Sequence, residues 1–195
     1  MRYEEFKELV TKARSYRRFK EDSPIAIETL TDIVDTARVV SSGANAQPLR
    51  YAISVNKEKN DRIFAYTKWA GALKEWHGPA EGERPAGYIV IGANTAAKQY
   101  SIDLGIAAQT IQLGLAVQGI GCCMLANVNL KAIHQLVELP EEIPALLVIA
   151  LGYPAETVVL EPLPAGGSTT YWRDSQDHHH VPKRALQDIL LSTFA

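Results

Sequence analysis

Hydrophobic spacing along the chain switches between a period near 3.6 and a period of two, and each switch marks an element. Residues 3–12 place Phe6, Leu9 and Val10 on one helical face; residues 25–40 do the same with Leu30, Ile33, Val34 and Ala37, stopping at Ser41-Ser42-Gly43. Tyr51 to Val55 alternates as a strand after Gln47-Pro48, a pair that biases the chain toward extended backbone. Residues 57–76 read as helical and aromatic, with Phe64, Tyr66, Trp69 and Trp76, and Gly78-Pro79 through Arg84-Pro85 reads as a loop. Tyr88 to Ile91 is wholly apolar and fits a central strand. Leu130 to Leu139 predicts a helix closed by Pro140, and Leu146 to Leu151 a strand ending at Gly152-Tyr153-Pro154. Pro162 to Thr170 is irregular by composition, and residues 183–194 pattern as a terminal amphipathic helix. This makes about four strands and more helix than sheet, without the regular alternation that predicts a doubly wound sheet.

Residues 97–118 differ from the rest. The stretch has helix length, yet Gly105, Ala107, Ala108, Gly114 and Ala116 keep it small on nearly every side, and no charge follows Asp103. A helix apolar all round is expected to be buried all round. In a chain of 195 residues a covering partner subunit is one explanation. Gly119 and Gly121 end it, and a short strand through Cys122–Leu125 is expected to follow.

Composition narrows the class. A length of 195 residues predicts a single domain spanning 1–195, and no repeat or low-complexity linker divides it. Apolar residues at 47% and charged residues at 22% exclude disorder, collagen and coiled coil. Net charge is −2, so no global positive field draws the chain to nucleic acid and any basic site must be local. Cys122 and Cys123 are adjacent, cannot staple distant elements and cannot supply four ligands to a metal cluster, which reads as reduced thiols in an intracellular setting. The longest nearly charge-free stretch is broken by Gln109, Gln112 and Gln118, so no membrane span is expected. The N-terminus has no signal-like apolar core, and the chain is expected to be soluble and cytoplasmic.

Two segments carry candidate chemistry. Arg14-Ser15-Tyr16-Arg17-Arg18-Phe19 packs three guanidiniums and a hydroxyl into five residues, a set suited to phosphate because arginine offers paired donors and a permanent charge; composition alone favours a solvated basic loop. Ser41-Ser42-Gly43-Ala44-Asn45-Ala46-Gln47-Pro48 follows a helix directly and can present polar groups to a planar heterocycle, or simply stop the helix and turn. Gly119-Ile120-Gly121 lacks the third glycine and preceding strand of a dinucleotide fingerprint. His178-His179-His180 reads as a solvated polar turn, since three consecutive histidines cannot all face one ion, and no metal is expected. Lys183-Arg184 would put a basic first turn on the last helix, against its dipole, which hints at an anion nearby. Cys122 has no cationic neighbour in sequence and reads as a small core residue.

Taken together and in order, these segments resemble the nitroreductase family of FMN-dependent oxidoreductases. The resemblance runs from Arg14–Phe19 through Ser41–Pro48, the small-residue helix with Gly119-Ile120-Gly121-Cys122-Cys123, and Leu151-Gly152-Tyr153-Pro154, to Lys183-Arg184. It implies an α+β three-layer sandwich, a mostly antiparallel sheet flanked by helices, in an intertwined homodimer with FMN at the subunit interface. By this resemblance Arg14, Ser15 and Arg17 hold the FMN phosphate and ribityl chain, with Lys183 and Arg184 reaching the same phosphate and Arg18 pointing outward. Ser41, Ser42, Gly43 and Asn45 form the turn given by the second subunit, Gln47 orders that turn, and Met124 and Leu125 pass beside the flavin ring. Trp69, in the variable segment 66–85, is the substrate-facing candidate. Ala13 stands where many relatives carry a further basic residue, and Leu49 where tryptophan is common.

The implied activity is ping-pong transfer of electrons from NADH or NADPH through FMN to a nitroaromatic, quinone or related small molecule, with the cofactor supplying the chemistry and no protein residue assigned as catalytic. Alternatives on the same fold are a non-catalytic flavin-storage protein, a reductive dehalogenase and a flavin-fragmenting enzyme.

Overall fold

The computed structural model describes residues 1–194. Its centre is an antiparallel sheet in the order β1-β2-β4-β3, built from β1 (Leu49–Ser54), β2 (Gly87–Ala93), β3 (Gly121–Leu125) and β4 (Ala145–Gly152). Every residue of β2 is buried, as an unbroken apolar run flanked by two strands requires. Strand alternation gives each face of the sheet its own core. On one side Ile89, Ile91, Cys122, Ile149 and Leu151 meet α2 (Ile27–Arg38) and α4 (Tyr100–Val117). On the other, Tyr88, Val90, Cys123, Val148 and Ala150 meet α3 (Lys57–Phe64) and α5 (Leu130–Leu136). The first helix, α1 (Tyr3–Lys12), forms where Phe6, Leu9 and Val10 predict it, but buries no residue.

Three expectations are corrected. The helix expected over 57–76 stops at Phe64, where the Thr67 hydroxyl donates to the Phe64 carbonyl and the chain turns; Trp69 then enters the core from a loop. The small-residue helix α4 is not buried all round within this chain. Asp103, Ala107, Ala108, Ile111 and Leu115 are buried, while Ile102, Ile106 and Val117 are 61%, 37% and 65% exposed. No helix forms over 183–194. A second sheet, in the order β5-β7-β6, takes in β5 (Val158–Pro162), β6 (Trp172–Arg173) and β7 (His179–Lys183), with β7 parallel to β5 and antiparallel to β6. Beyond it lie a 3-10 turn, Leu186–Asp188, and exposed Leu190, Leu191 and Phe194. Pro182 inside β7 and the polar His178-His179-His180 run mask these short strands, which exist because they pair with each other. Among the described residues no helix is long and apolar enough to cross a membrane.

Candidate functional site

The basic segment Arg14–Phe19 lies extended across the ends of β3 and β4. Tyr16 N–H donates to the Cys122 carbonyl at 2.9 Å, Lys20 N–H to the Tyr153 carbonyl at 2.8 Å, and Ala155 N–H to the Arg18 carbonyl at 3.0 Å. A glycine pair makes this seat. Gly121 faces Gly152 in the β3–β4 register. A Cβ on Gly121 would stand 2.7 Å from the Tyr16 ring, and one on Gly152 2.8 Å from Phe19 Cβ. Both glycines are thus explained by close approach rather than by nucleotide binding.

From this seat the arginines diverge. Arg17 lines a cavity of about 330 Å³ together with Lys68, Trp69, Met124, Leu125 and Tyr171, and no carboxylate is among its walls. The Arg17 guanidinium sits over the Tyr171 ring, 4.7 Å from its centroid. Its Nη1 donates to the Ser15 carbonyl at 3.2 Å and lies 2.9 Å from His179 Nε2. Arg18 does not point outward as expected. It pairs with Asp177 and Glu83 and lies over Trp76, because the second sheet brings Asp177 to it.

Arg14 lines a separate cavity of about 200 Å³ with Tyr16, Gln112 and Gly119. Its Nη2 donates to the Val10 carbonyl at 2.6 Å, and its Nε is buried with no partner. Burial lowers the Arg14 pKa from its ordinary value. Ser15 is exposed and bridges Cys122 through its backbone.

The Ser41–Gln47 turn sits at the other end of α4. Asp103, the one charge in that helix, is buried and accepts from Ser42 Oγ at 2.6 Å and Gly43 N–H at 3.0 Å. Ser42 Oγ in turn accepts from the backbone N–H of Gln47 at 2.9 Å, which closes the turn. Ala44, Asn45 and Gln47 all lie in the left-handed region, with φ of 50°, 54° and 46°. Three such non-glycine residues in one turn concentrate strain, and Ser41 and Asn45 are left exposed. Asp103 holds this turn and was missed by motif reading; a single carboxylate in an otherwise uncharged helix was the available sign. Beside the turn lies a cavity of about 500 Å³ lined in part by Val34, Arg38, Ser42, Pro48 and Tyr51.

Asp103 and Gln112, which lines the Arg14 cavity, are separated by about 13 Å of helix rise, and within one chain no residue of the Ser41–Asn45 turn lines the Arg17 cavity. Neither do Lys183 and Arg184. Lys183 ends β7 opposite Pro162, about 13 Å of strand beyond His179, and both basic residues are exposed. The structure therefore gathers Arg17, Trp69, Met124 and Leu125 and leaves the other candidates elsewhere. The histidine run is not a solvated turn either: His179 is 1% exposed in β7, and its neighbour His180 points the opposite way, toward Glu161 and Asp174. Both cysteines are buried and free; burial pushes the Cys122 thiol well above its ordinary range and Cys123 up to about 11, which fits core residues rather than nucleophiles. No group of three or more metal-ligating side chains occurs among the described residues.

The family model described as the nitroreductase family matches residues 10–153, and the chain belongs to that family. No curated protein matches it. Solved structures agree on the fold. An FMN-dependent nitroreductase of Clostridium difficile is 23% identical with a TM-score of 0.61, covering 76% of this chain and 87% of its own. A nitroreductase family protein of Streptococcus pneumoniae is 18% identical with a TM-score of 0.62, covering 83% and 96%. A Bacteroides thetaiotaomicron protein, whose name pairs NADH dehydrogenase with NAD(P)H nitroreductase, is 21% identical with a TM-score of 0.63, covering 77% and 86%.

Proposed function

We propose that the protein is an FMN-dependent NAD(P)H oxidoreductase acting on nitroaromatic, quinone or related small acceptors, and that it works as a homodimer. The observation that carries this reading is the Arg17 cavity, cationic and aromatic on its walls, built from the family-matched part of the chain except for Tyr171, which lies beyond it. The residues present suit the cofactor. Arg17 has no protein partner at Nε or Nη2 among the described residues, and Arg14 Nε is buried unpaired, so both offer donors to a phosphate of charge about −2 or to an electron-rich ring edge. The name of the C. difficile relative points the same way.

In this reading Arg17 of one chain holds FMN with Met124 and Leu125 along its ring, while Arg14, Ser15, Lys183 and Arg184 lie outside that cavity. The partner chain brings Ser41, Ser42, Gly43 and Asn45. Exposed Ser41 and Asn45, a strained turn held by Asp103, and the uncovered apolar side of α4 all support a second copy at this place. When bound, FMN supplies a centre that accepts and gives up hydride. Arg17 keeps a fixed positive charge beside it, with no carboxylate among the described walls of the cavity, which favours electron uptake. Trp69, 7% exposed and packed in the core, backs the wall of the cavity in which NAD(P)H and then the acceptor can lie in turn. Neither cysteine takes part.

The purified protein should show flavin absorbance, or gain it when FMN is added, and the bands should bleach anaerobically with NADH or NADPH. Bands that bleach with neither donor would replace this reading with a flavin-storage role. A colourless protein that takes up no FMN would overturn it.

A further inference from the structure

We infer that the second sheet is a brace for the flavin site, and that His179 is a positioning residue which, with Tyr171, holds Arg17 aimed into the cavity. This rests on the function proposed above. Residues 154–183 lie beyond the 10–153 matched by the family model, yet they are tied directly to the basic segment. The Glu156 carboxylate accepts from the backbone N–H groups of Arg17 and Arg18 and pairs with Arg173 at 2.5 Å. The Glu156 and Arg173 side chains are 1% and 10% exposed, so the joint is shielded from water. His179 N–H donates to the Thr157 carbonyl at 2.9 Å, which fixes the start of β7 against the same joint.

The sheet delivers two groups to Arg17. Tyr171 lies under the guanidinium and against the His179 ring, 5.1 Å between centroids. His179 Nε2 stands 2.9 Å from Arg17 Nη1, and a guanidinium can only donate, so Nε2 must be the bare, accepting nitrogen and the proton sits on Nδ1. Burial, with Arg17 and Arg173 nearby, holds the His179 pKa down to about 4 and keeps the ring neutral. Both protein bonds of the guanidinium fall on Nη1, leaving Nε and Nη2 for a ligand. An arginine fixed in advance gives up less rotamer freedom on binding.

Two measurements test this. The first needs no flavin: at pH 7, ¹⁵N NMR should show His179 protonated on Nδ1, with an Nε2 resonance that moves in R17Q. A ring protonated on Nε2, or an Nε2 signal indifferent to R17Q, overturns the inference. The second is a double-mutant cycle of FMN dissociation constants. H179L alone should weaken binding about tenfold, as loss of a charge-assisted hydrogen bond does. In an R17Q background the same change should add less than about twofold. H179Q, whose amide oxygen can accept in place of Nε2, should stay within about threefold of the native protein. Additive losses, or H179Q as weak as H179L, overturn it. Should H179L fail to fold, Y171L replaces it in the cycle with the same expected non-additivity. Failure of the native protein to bind FMN would sink the proposed function, while the NMR result would still decide the positioning role.

Discussion

Ala44 sits at φ 50°, ψ 21°, a conformation an L-residue adopts at a cost, in a turn whose other polar groups are tied to Asp103 and Ser42. Glycine enters the same region freely, so Ala44→Gly should stabilise the fold by about 1 kcal/mol after the larger entropy of the unfolded glycine is subtracted. Urea unfolding would check this; a loss of stability would mean that the Ala44 methyl makes contacts worth more than the strain. The cost is carried by a residue that no core requires, which is the pattern of a turn shaped for a ligand.

Among the elements, the Arg14–Phe19 segment and the second sheet each depend on one kind of contact. Gly152→Ala forces a methyl against Phe19 Cβ, an atom too close to the backbone to swing away, and should cost about 1–3 kcal/mol by overpacking. Chemical denaturation measures this directly, and an unchanged midpoint would show that the segment can lift from the sheet.

The histidines of β7 make the second sheet pH-dependent in two opposed senses. His179, buried beside Arg17 and Arg173, has its folded pKa lowered to about 4, against about 6.5 when unfolded. Between those values only the unfolded chain takes the proton, so stability falls as pH drops through this window. Burial also pulls His180 down, but hydrogen bonds to Glu161 and Asp174 outweigh it and raise its folded pKa. Its contribution is therefore complete below about 6.5 and is lost as pH rises through the folded value. Thermal unfolding followed across pH should peak near pH 6.5 on this account. H179Q should flatten the acid limb and H180Q the alkaline one; a limb unmoved by its own variant would remove that histidine from the explanation.

At the scale of the whole molecule, α4 decides how a second chain could bind. Ala108 is 1% exposed and faces this chain's own core, whereas Ile102 is 61% exposed on the opposite side. A charge at Ile102 is tolerable in a single chain and costly under a partner. Ile102→Glu should give a monomer by analytical ultracentrifugation, with unchanged far-ultraviolet circular dichroism and weakened FMN binding. A stable dimer of this variant would show that the exposed face of α4 is not the interface.

Local pattern was enough for α1, α2, α4 and the four strands of the central sheet, because most bury a face whose spacing is written into their own residues and β2, buried on both faces, is an unbroken apolar run. The order of motifs from Arg14 to Pro154 was likewise enough to indicate the family. The second sheet was not legible, since two- to five-residue strands with two prolines and two histidines become strands only by pairing across long separations. For the same reason the sequence alone could not distribute the arginines. Their neighbours in the chain are much alike, but the paired glycines seat them so that Arg14, Arg17 and Arg18 reach three different environments. Side-chain type was set by the sequence, while aim and charge compensation were decided by which distant backbone each arginine lies against.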